Sequence, residues 1–111
     1  MKTISWDDFD RVALHVGTIV RAEPNEGARK PSYRLWVDFG EHGVRTSSAQ
    51  ITEHYSCDQL VGKQVIGVLN FPPKRIAGFE SQCLVTGFPD ENNLVVLACP
   101  ERRVPNGAKL F

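Results

Sequence analysis

Apolar side chains alternate with polar or small ones along much of the chain, which is the pattern of half-buried β-strands. The first alternation is long, with its apolar face at Val12, Leu14, Val16, Thr18 and Val20. Gly17 interrupts this run and predicts a bend or bulge, which lets one strand serve both halves of a small barrel. A second alternation covers residues 33 to 47, and the glycine-flanked turn at residues 40 to 43 predicts a hairpin there.

Shorter apolar runs predict further strands at residues 65–71, 81–86 and 94–97. Two helical segments interrupt the strands. Ser5 and Asp8 form a capping-box pair that predicts a short helix over residues 6–10. Residues 48–60 show neither the strand alternation nor a clear helical repeat of apolar residues, and we expect them to form helical turns.

The order of these elements predicts an all-β fold. An OB-fold, which is a five-stranded Greek-key barrel, has this order: a long bent strand, a hairpin, a helical bridge and a further set of strands. We therefore expect residues 1–111 to form one such domain, with short N-terminal and bridging helices.

Composition limits the function classes. Thirteen Lys and Arg balance thirteen Asp and Glu, so the net charge is zero. A net charge of zero argues against binding of nucleic acid or an anionic membrane through overall charge. Cys57, Cys83 and Cys99 are odd in number and form no C-x-x-C pair, so we expect free thiols in a reducing compartment. The N-terminus lacks a signal-peptide pattern, and no stretch reaches the about 20 apolar residues of a membrane span. The predicted location is cytoplasmic, without membrane insertion.

The chain shows no pattern of catalysis. His15, His42 and His54 share no metal-ligand spacing with one another or with the cysteines, and no glycine-rich phosphate loop occurs. His15 lies opposite the apolar face of its strand and is expected to be exposed or at an interface. We predict a protein that is not an enzyme and that has no metal or cofactor.

Ordered sequence blocks resemble the tRNA-binding OB-fold domain that occurs free in bacteria and appended to methionyl- and phenylalanyl-tRNA synthetases. The family features appear as Ser47-Ser48, Tyr55, Leu60–Lys63, Asn70 and Glu80–Leu84. The closer resemblance is to one branch of this family, the export-related CsaA chaperones. Its blocks appear in order as Ala28–Pro31, Asp38–Gly40, Ser47–Thr52, Asn70–Phe79 and Val104–Leu110. Cys83 and Leu84 depart from the tRNA-binding relatives, which have Gly and Met there.

The resemblance implies one of two functions. The first is an ATP-independent secretion chaperone, a homodimer whose groove binds unfolded precursor proteins and which works with the export machinery. The alternative is a structure-specific protein that recognises the outside corner of tRNA. No nucleotide motif occurs in the chain, so any chaperone action would be holding rather than active refolding.

The candidate ligand surface combines apolar rings with cations. Pro72 and Pro73 stiffen a segment whose phenylalanines and neighbouring charges suit either an extended peptide or single-stranded nucleic acid. Whether Phe71 and Phe79 face a ligand or cap the core is open at this point. Arg34 and Trp36 are expected to point outward from the predicted strand of the second alternation. The predicted site comprises Arg34, Trp36, Asn70, Phe71, Lys74, Arg75, Phe79, Ser81 and Gln82.

Large apolar residues near both chain ends predict a dimer contact. A monomer would have difficulty covering such groups at its termini. The residues that we expect in the contact are Trp6, Phe9, Val104, Leu110 and Phe111.

Overall fold

A computed structural model describes residues 1–111. The elements follow the chain as α1 (Trp6–Asp10), β1 (Leu14–Pro24), β2 (Tyr33–Asp38), a 3-10 turn (Gly40–His42), β3 (Val44–Ala49), α2 (Cys57–Leu60), β4 (Gln64–Val68), β5 (Lys74–Ile76), β6 (Phe79–Ser81), β7 (Leu84–Val85), β8 (Gly87–Pro89) and β9 (Val95–Leu97). Neither helix is long enough to cross a bilayer.

The main sheet has the antiparallel order β3-β2-β1-β4-β7. It curls until its two edges meet. The Thr46 carbonyl in β3 accepts hydrogen bonds from the backbone N–H groups of Gln82 (2.7 Å) and Cys83 (3.2 Å), just before β7. The result is a nearly closed five-stranded barrel, so the predicted all-β OB-fold is confirmed. The predicted N-terminal helix and its capping box are also present, with Ser5 and Asp8 in reciprocal hydrogen bonds.

The irregularity of β1 lies at Val20, and the prediction of a bulge at Gly17 is wrong. The pairing with β2 runs from Ile19 opposite Val37 directly to Arg21 opposite Trp36, so Val20 is the extra residue. Val20 is therefore exposed while Ile19 is completely buried. Gly17 has a different role, because a Cβ there would lie 2.7 Å from the Phe39 ring.

His15 is buried, contrary to the exposed or interfacial position that we expected. The C-terminal segment returns beside β1, where the Ala108 carbonyl accepts a hydrogen bond from the Val16 N–H. This segment covers His15, whose Nδ1 lies 2.9 Å from the Gly107 carbonyl oxygen. Strand alternation alone does not reveal such cover from a distant part of the chain.

The barrel interior is filled by branched aliphatic side chains around one aromatic ring. The completely buried apolar residues are Ile19, Leu35, Val37, Phe39, Leu60 and Val65. Burying each of these side chains stabilises the fold by about 1.5–3 kcal/mol relative to leaving it exposed. The Phe39 ring is held between Gly17 and Gly67, where any side chain would collide with it.

The second half of the chain differs from the predicted strands. β4 ends at Val68, and the chain then passes through the two prolines into the β5–β6 hairpin, which was not predicted. The predicted 94–97 strand exists as β9, which pairs with β8. Short strands bounded by prolines and glycines leave too few residues for an alternation to be visible.

Candidate ligand-binding surface

Four side chains form a continuous stack on the outer face of the barrel. The Trp36 and Phe79 rings meet edge to face, with 5.4 Å between their centroids. The guanidinium carbon of Arg21 lies 4.3 Å from the Trp36 ring centroid, and that of Arg34 lies 5.1 Å from the Phe79 centroid. We call Arg21, Trp36, Phe79 and Arg34 the arginine–aromatic stack.

Local structure explains how these residues meet. The bulge at Val20 places Arg21 directly opposite Trp36 in the β1–β2 pairing. The β5–β6 hairpin turns through Ala77 and Gly78, both with positive φ, and its last pair sets Phe79 opposite Ile76. A turn of this kind needs residues that tolerate left-handed backbone, which is why a glycine occurs there.

The cations of the stack are held in place by neighbours. Arg21 pairs with Glu23 at 2.9 Å, and the Arg34 Nε–H donates to Asn25 Oδ1 at 3.2 Å. A cation over an exposed aromatic face stabilises the arrangement by about 0.5–1 kcal/mol. The stack therefore offers a ligand an ordered surface of two aromatic rings with a cation at each end.

A groove of about 320 Å³ lies along the β5–β6 hairpin. Its lining residues are Ser48, Phe71, Pro72, Lys74, Ile76, Ser81, Gln82, Cys83 and Leu84. Phe71 is 55% exposed and Phe79 is half-buried, and neither belongs to the core cluster. Both rings therefore lie outside the barrel core.

Ser81 and Gln82 use their side chains to close the barrel. Ser81 Oγ accepts a hydrogen bond from the Ser48 N–H (3.2 Å), and Gln82 Oε1 accepts one from the Thr46 N–H (3.1 Å). These two donors lie on the free edge of β3, where unpaired backbone groups are costly. Both residues line the groove, but their polar atoms already have partners within the chain.

Asn70 also bonds within the chain. Its Oδ1 accepts from the Ala13 N–H at 3.0 Å, and its Nδ2 donates to the Arg11 carbonyl at 2.6 Å. The side chain therefore joins the end of β4 to the start of β1. It is not part of the stack and does not line the groove.

The two cations of the hairpin have different environments. Arg75 donates from Nη1 to the Gly78 carbonyl at 2.7 Å and so fastens the turn. Lys74 is exposed, lines the groove and makes no ion pair. Of the two, Lys74 is the cation available to a bound ligand.

Sequence reasoning missed Arg21, because an uninterrupted alternation does not show which residue of β1 faces Trp36. It placed Ile76 in the apolar segment around the two prolines but did not predict the β5–β6 hairpin that brings Ile76 to the groove. The Ala-Gly pair at residues 77 and 78 is the signal that could have indicated this turn.

The thiol of Cys83, which lines the groove, is not activated. Burial raises the pKa of the Cys83 thiol to about 11, even though Arg45 partly opposes the shift. A thiol in this state is a poor nucleophile at neutral pH. No group of three or more His, Cys, Asp or Glu side chains is arranged to hold a metal ion.

The last residues of the chain return beside the start of β1, whereas Val104 lies apart from them and bonds to Gln64 at the start of β4. Leu110 donates its N–H to the Leu14 carbonyl, and the Lys109 ammonium reaches the Asp10 carbonyl at 3.0 Å, at the end of α1. Trp6 is 87% exposed, and Phe111 is fully exposed. Phe9 and Val104 are half-buried, and Leu110 is exposed.

Comparison with known proteins identifies the family. The putative tRNA-binding domain model matches residues 14–109. The chain belongs to the tRNA-binding domain family. It is 36% identical over 110 residues to methionine–tRNA ligase of Pyrococcus horikoshii and 35% identical over 104 residues to that of Methanococcoides burtonii. The matched part is 15% of the length of each of these ligases, against 99% and 94% of this chain.

Solved structures place the domain beside the CsaA branch of the family. The chaperone CsaA from Bacillus anthracis superposes with a TM-score of 0.92 at 45% identity, covering 99% of this chain and all of that one. CsaA from Picrophilus torridus gives 0.90 at 39% identity, with 98% and 100% covered. A methionyl-tRNA-synthetase-related protein from Pyrococcus horikoshii gives 0.88 at 32% identity, with full coverage of both chains. The resemblance predicted from the sequence blocks is thereby confirmed.

Proposed function

We propose that this tRNA-binding-family domain is an ATP-independent holding chaperone of the CsaA type. Its clients are unfolded precursor proteins, which it keeps competent for secretion in the cytoplasm before delivery to the export machinery. The observation that supports this proposal most strongly is the ordered surface formed by the arginine–aromatic stack and the adjoining groove. Similarity to two CsaA chaperones over almost the whole of this chain supports the same conclusion.

The chemistry of an unfolded segment matches this surface. Such a segment carries apolar side chains and an unpaired backbone. Trp36 and Phe79 offer ring faces and edges, while Phe71 and Ile76 border an open groove. Ordering costs little on the protein side, because Pro72-Pro73 and the barrel hold these groups in place. Binding of unfolded chains delays their folding and aggregation by mass action.

A light-scattering assay of a chemically denatured client tests the proposal. An equimolar amount of the domain should slow aggregation, and Phe79→Ala should weaken that effect more than the double change Lys74→Ala plus Arg75→Ala. No slowing by the unaltered protein would contradict the chaperone function.

Recognition of the outside corner of tRNA is the second candidate. It is favoured by the family match and by cations layered on aromatic rings, an arrangement that also suits nucleic acid. Gel-shift titration at two salt concentrations distinguishes it. Phosphate binding predicts a strong salt dependence, and its slope should fall by about one unit for each phosphate that the Lys74/Arg75 double variant no longer neutralises. Absence of a shift at low salt would eliminate tRNA binding.

The proposed active form is a homodimer joined through the chain ends. Trp6 and Phe111 expose large apolar surfaces, and Leu110 lies beside β1. Stable homodimer contacts are more apolar than ordinary surface, which suits these residues. Analytical ultracentrifugation at micromolar concentration should give twice the 12.4 kDa chain mass. A single 12.4 kDa species would contradict the dimer.

A further inference from the structure

A second cavity lies beside the ligand groove, under the loop between β1 and β2. Its volume is about 470 Å³. The loop forms one wall, the β5–β6 turn forms the other, and the end of β3 forms the floor. The lining residues are Gly27, Ala28, Arg29, Lys30, Ser32, Ser48, Gln50, Ile76 and Ala77.

Two buried polar atoms at the base of this loop have no hydrogen-bond partner. They are Ser32 Oγ and Asn25 Nδ2, in residues that are only 6% and 4% exposed. Ser32 lies in the cavity wall, and its carbonyl accepts a hydrogen bond from the Asn25 N–H. Buried polar groups nearly always have a partner, because an unmade hydrogen bond costs about 1–3 kcal/mol. The Ser32 hydroxyl therefore lies unpaired within the cavity wall, with almost none of its own surface exposed.

The cavity also has two cations without counter-ions. Arg29 and Lys30 are exposed at its mouth, and no carboxylate of the chain lies within salt-bridge distance of either. Hydroxyl and amide groups of Ser48 and Gln50 complete a lining that is polar on one side. Together these groups suit an anionic ligand with oxygen acceptors, and a guanidinium matches the planar geometry of a carboxylate.

The cavity and the groove are adjacent, since Ser48 and Ile76 line both. A polymer that occupies the groove can therefore place one of its groups in the cavity. The groove itself carries a single cation, Lys74, among mostly apolar and neutral residues. A nucleic-acid strand brings a phosphate at every nucleotide, whereas a peptide can bring one carboxylate among apolar residues. The distribution of charge favours the peptide.

We propose that this cavity is a carboxylate subsite, which binds an acidic side chain of an unfolded peptide whose apolar part lies in the groove. The inference rests on the proposed function, because it assumes a peptide ligand, and it adds a sequence preference. Arg29 and Lys30 bind the carboxylate at the mouth of the cavity. Clients would be selected for an acidic residue next to an apolar run.

Fluorescence anisotropy with two labelled peptides tests the subsite. Each peptide has about ten residues, which span roughly 33 Å when extended, with a leucine- and phenylalanine-rich part and one terminal aspartate or, in its partner, asparagine. We expect the unaltered protein to bind the aspartate peptide about tenfold more tightly, as a charge-assisted contact predicts. The double variant Arg29→Gln plus Lys30→Gln should lose this difference and still bind the asparagine peptide normally. Lys2→Gln plus Arg102→Gln removes the same charge elsewhere and should leave the preference unchanged.

The outcomes separate the two proposals. Equal binding of both peptides by the unaltered protein overturns the subsite and leaves the chaperone function standing. Binding of neither peptide overturns both. Loss of the preference in the Lys2/Arg102 control would assign it to net charge rather than to the cavity. Displacement of the aspartate peptide by a single-stranded oligonucleotide, but not by acetate, would assign the cavity to phosphate and overturn the carboxylate proposal.

Discussion

Arg21 and Trp36 face each other across the β1–β2 pairing, with the guanidinium carbon 4.3 Å from the ring centroid. This contact depends on the bulge at Val20, which sets the register beyond Ile19. It fixes one end of the stack, and Phe79 and Arg34 continue it. A backbone irregularity in the longest strand thus determines which side chains meet on the candidate surface.

Removing either aromatic ring of the stack should weaken client binding without unfolding the protein. Trp36→Ala and Phe79→Ala each delete an apolar contact at a half-buried position, so we expect a five- to tenfold loss of peptide affinity, about 1–1.4 kcal/mol. Phe88→Ala is a suitable control, because Phe88 is 65% exposed and lies on a different hairpin. Isothermal titration calorimetry measures the effect. Equal affinity of all three variants would place the ligand elsewhere.

Gly17→Ala should strongly destabilise the barrel. A Cβ at this position would lie 2.7 Å from both the Phe39 ring and a Val37 methyl group, inside the packed core. Overpacking of this kind costs about 1–3 kcal/mol, which chemical denaturation detects. Gly27→Ala is the matched control, because its nearest contact would be an ordinary 3.6 Å. Similar unfolding midpoints for the two variants would show that Phe39 can move aside.

Asn70→Ala should reduce stability rather than affinity. The side chain makes hydrogen bonds to the Ala13 N–H and the Arg11 carbonyl, and their loss is expected to cost about 1–3 kcal/mol. Peptide affinity, measured well below the unfolding midpoint, should stay unchanged. A variant with normal stability and weak binding would return Asn70 to the ligand site that the sequence predicted.

The stability of the β8–β9 turn should depend on acidic pH through Asp90. Backbone hydrogen bonding from Leu94, followed by the hydrogen bond with His54 (2.7 Å), lowers the pKa of Asp90 below its ordinary value of 3.8. A carboxyl whose folded pKa is depressed stabilises the fold above its unfolded pKa, and that contribution is lost as the pH falls through the folded pKa. Asp90→Ala should therefore lower the melting temperature at pH 7, and the difference from the unaltered protein should shrink below pH 3.8.

Glu91→Ala is the control for this pH dependence, since the neighbouring Glu91 accepts no hydrogen bond from the chain. Calorimetric melts across the acidic range provide the measurement. A difference between Asp90→Ala and the unaltered protein that persists undiminished at the lowest pH would contradict the carboxylate's role.

Periodicity predicted the first half of the fold well. The hairpin of β2 and β3 was visible because Leu35, Val37 and Phe39 alternate with outward residues over a full strand length. The same method failed at His15, which is covered by a segment more than 90 residues away that includes Gly107 and Ala108. Burial by distant parts of the chain has no local pattern.

Strand alternation also predicted part of the candidate site. The outward orientation of Trp36 and Arg34 follows from strand alternation, and the structure brings both to Phe79. Ser81 and Gln82 were placed in the site by their position in the chain, yet their side-chain hydrogen bonds close the barrel. Only the three-dimensional pairing shows that the edge of β3 needs these acceptors.

Fluorescence of Trp36 tests the proposed binding surface most directly. The chain has two tryptophans, so Trp6→Phe leaves Trp36 as the only one and keeps an aromatic group at the N-terminus. Titration with an unlabelled, apolar unfolded peptide should shift the Trp36 emission to shorter wavelength, with a midpoint equal to the dissociation constant from anisotropy. Peptide binding detected by anisotropy without any change in Trp36 emission would contradict the proposal that clients bind on the arginine–aromatic stack.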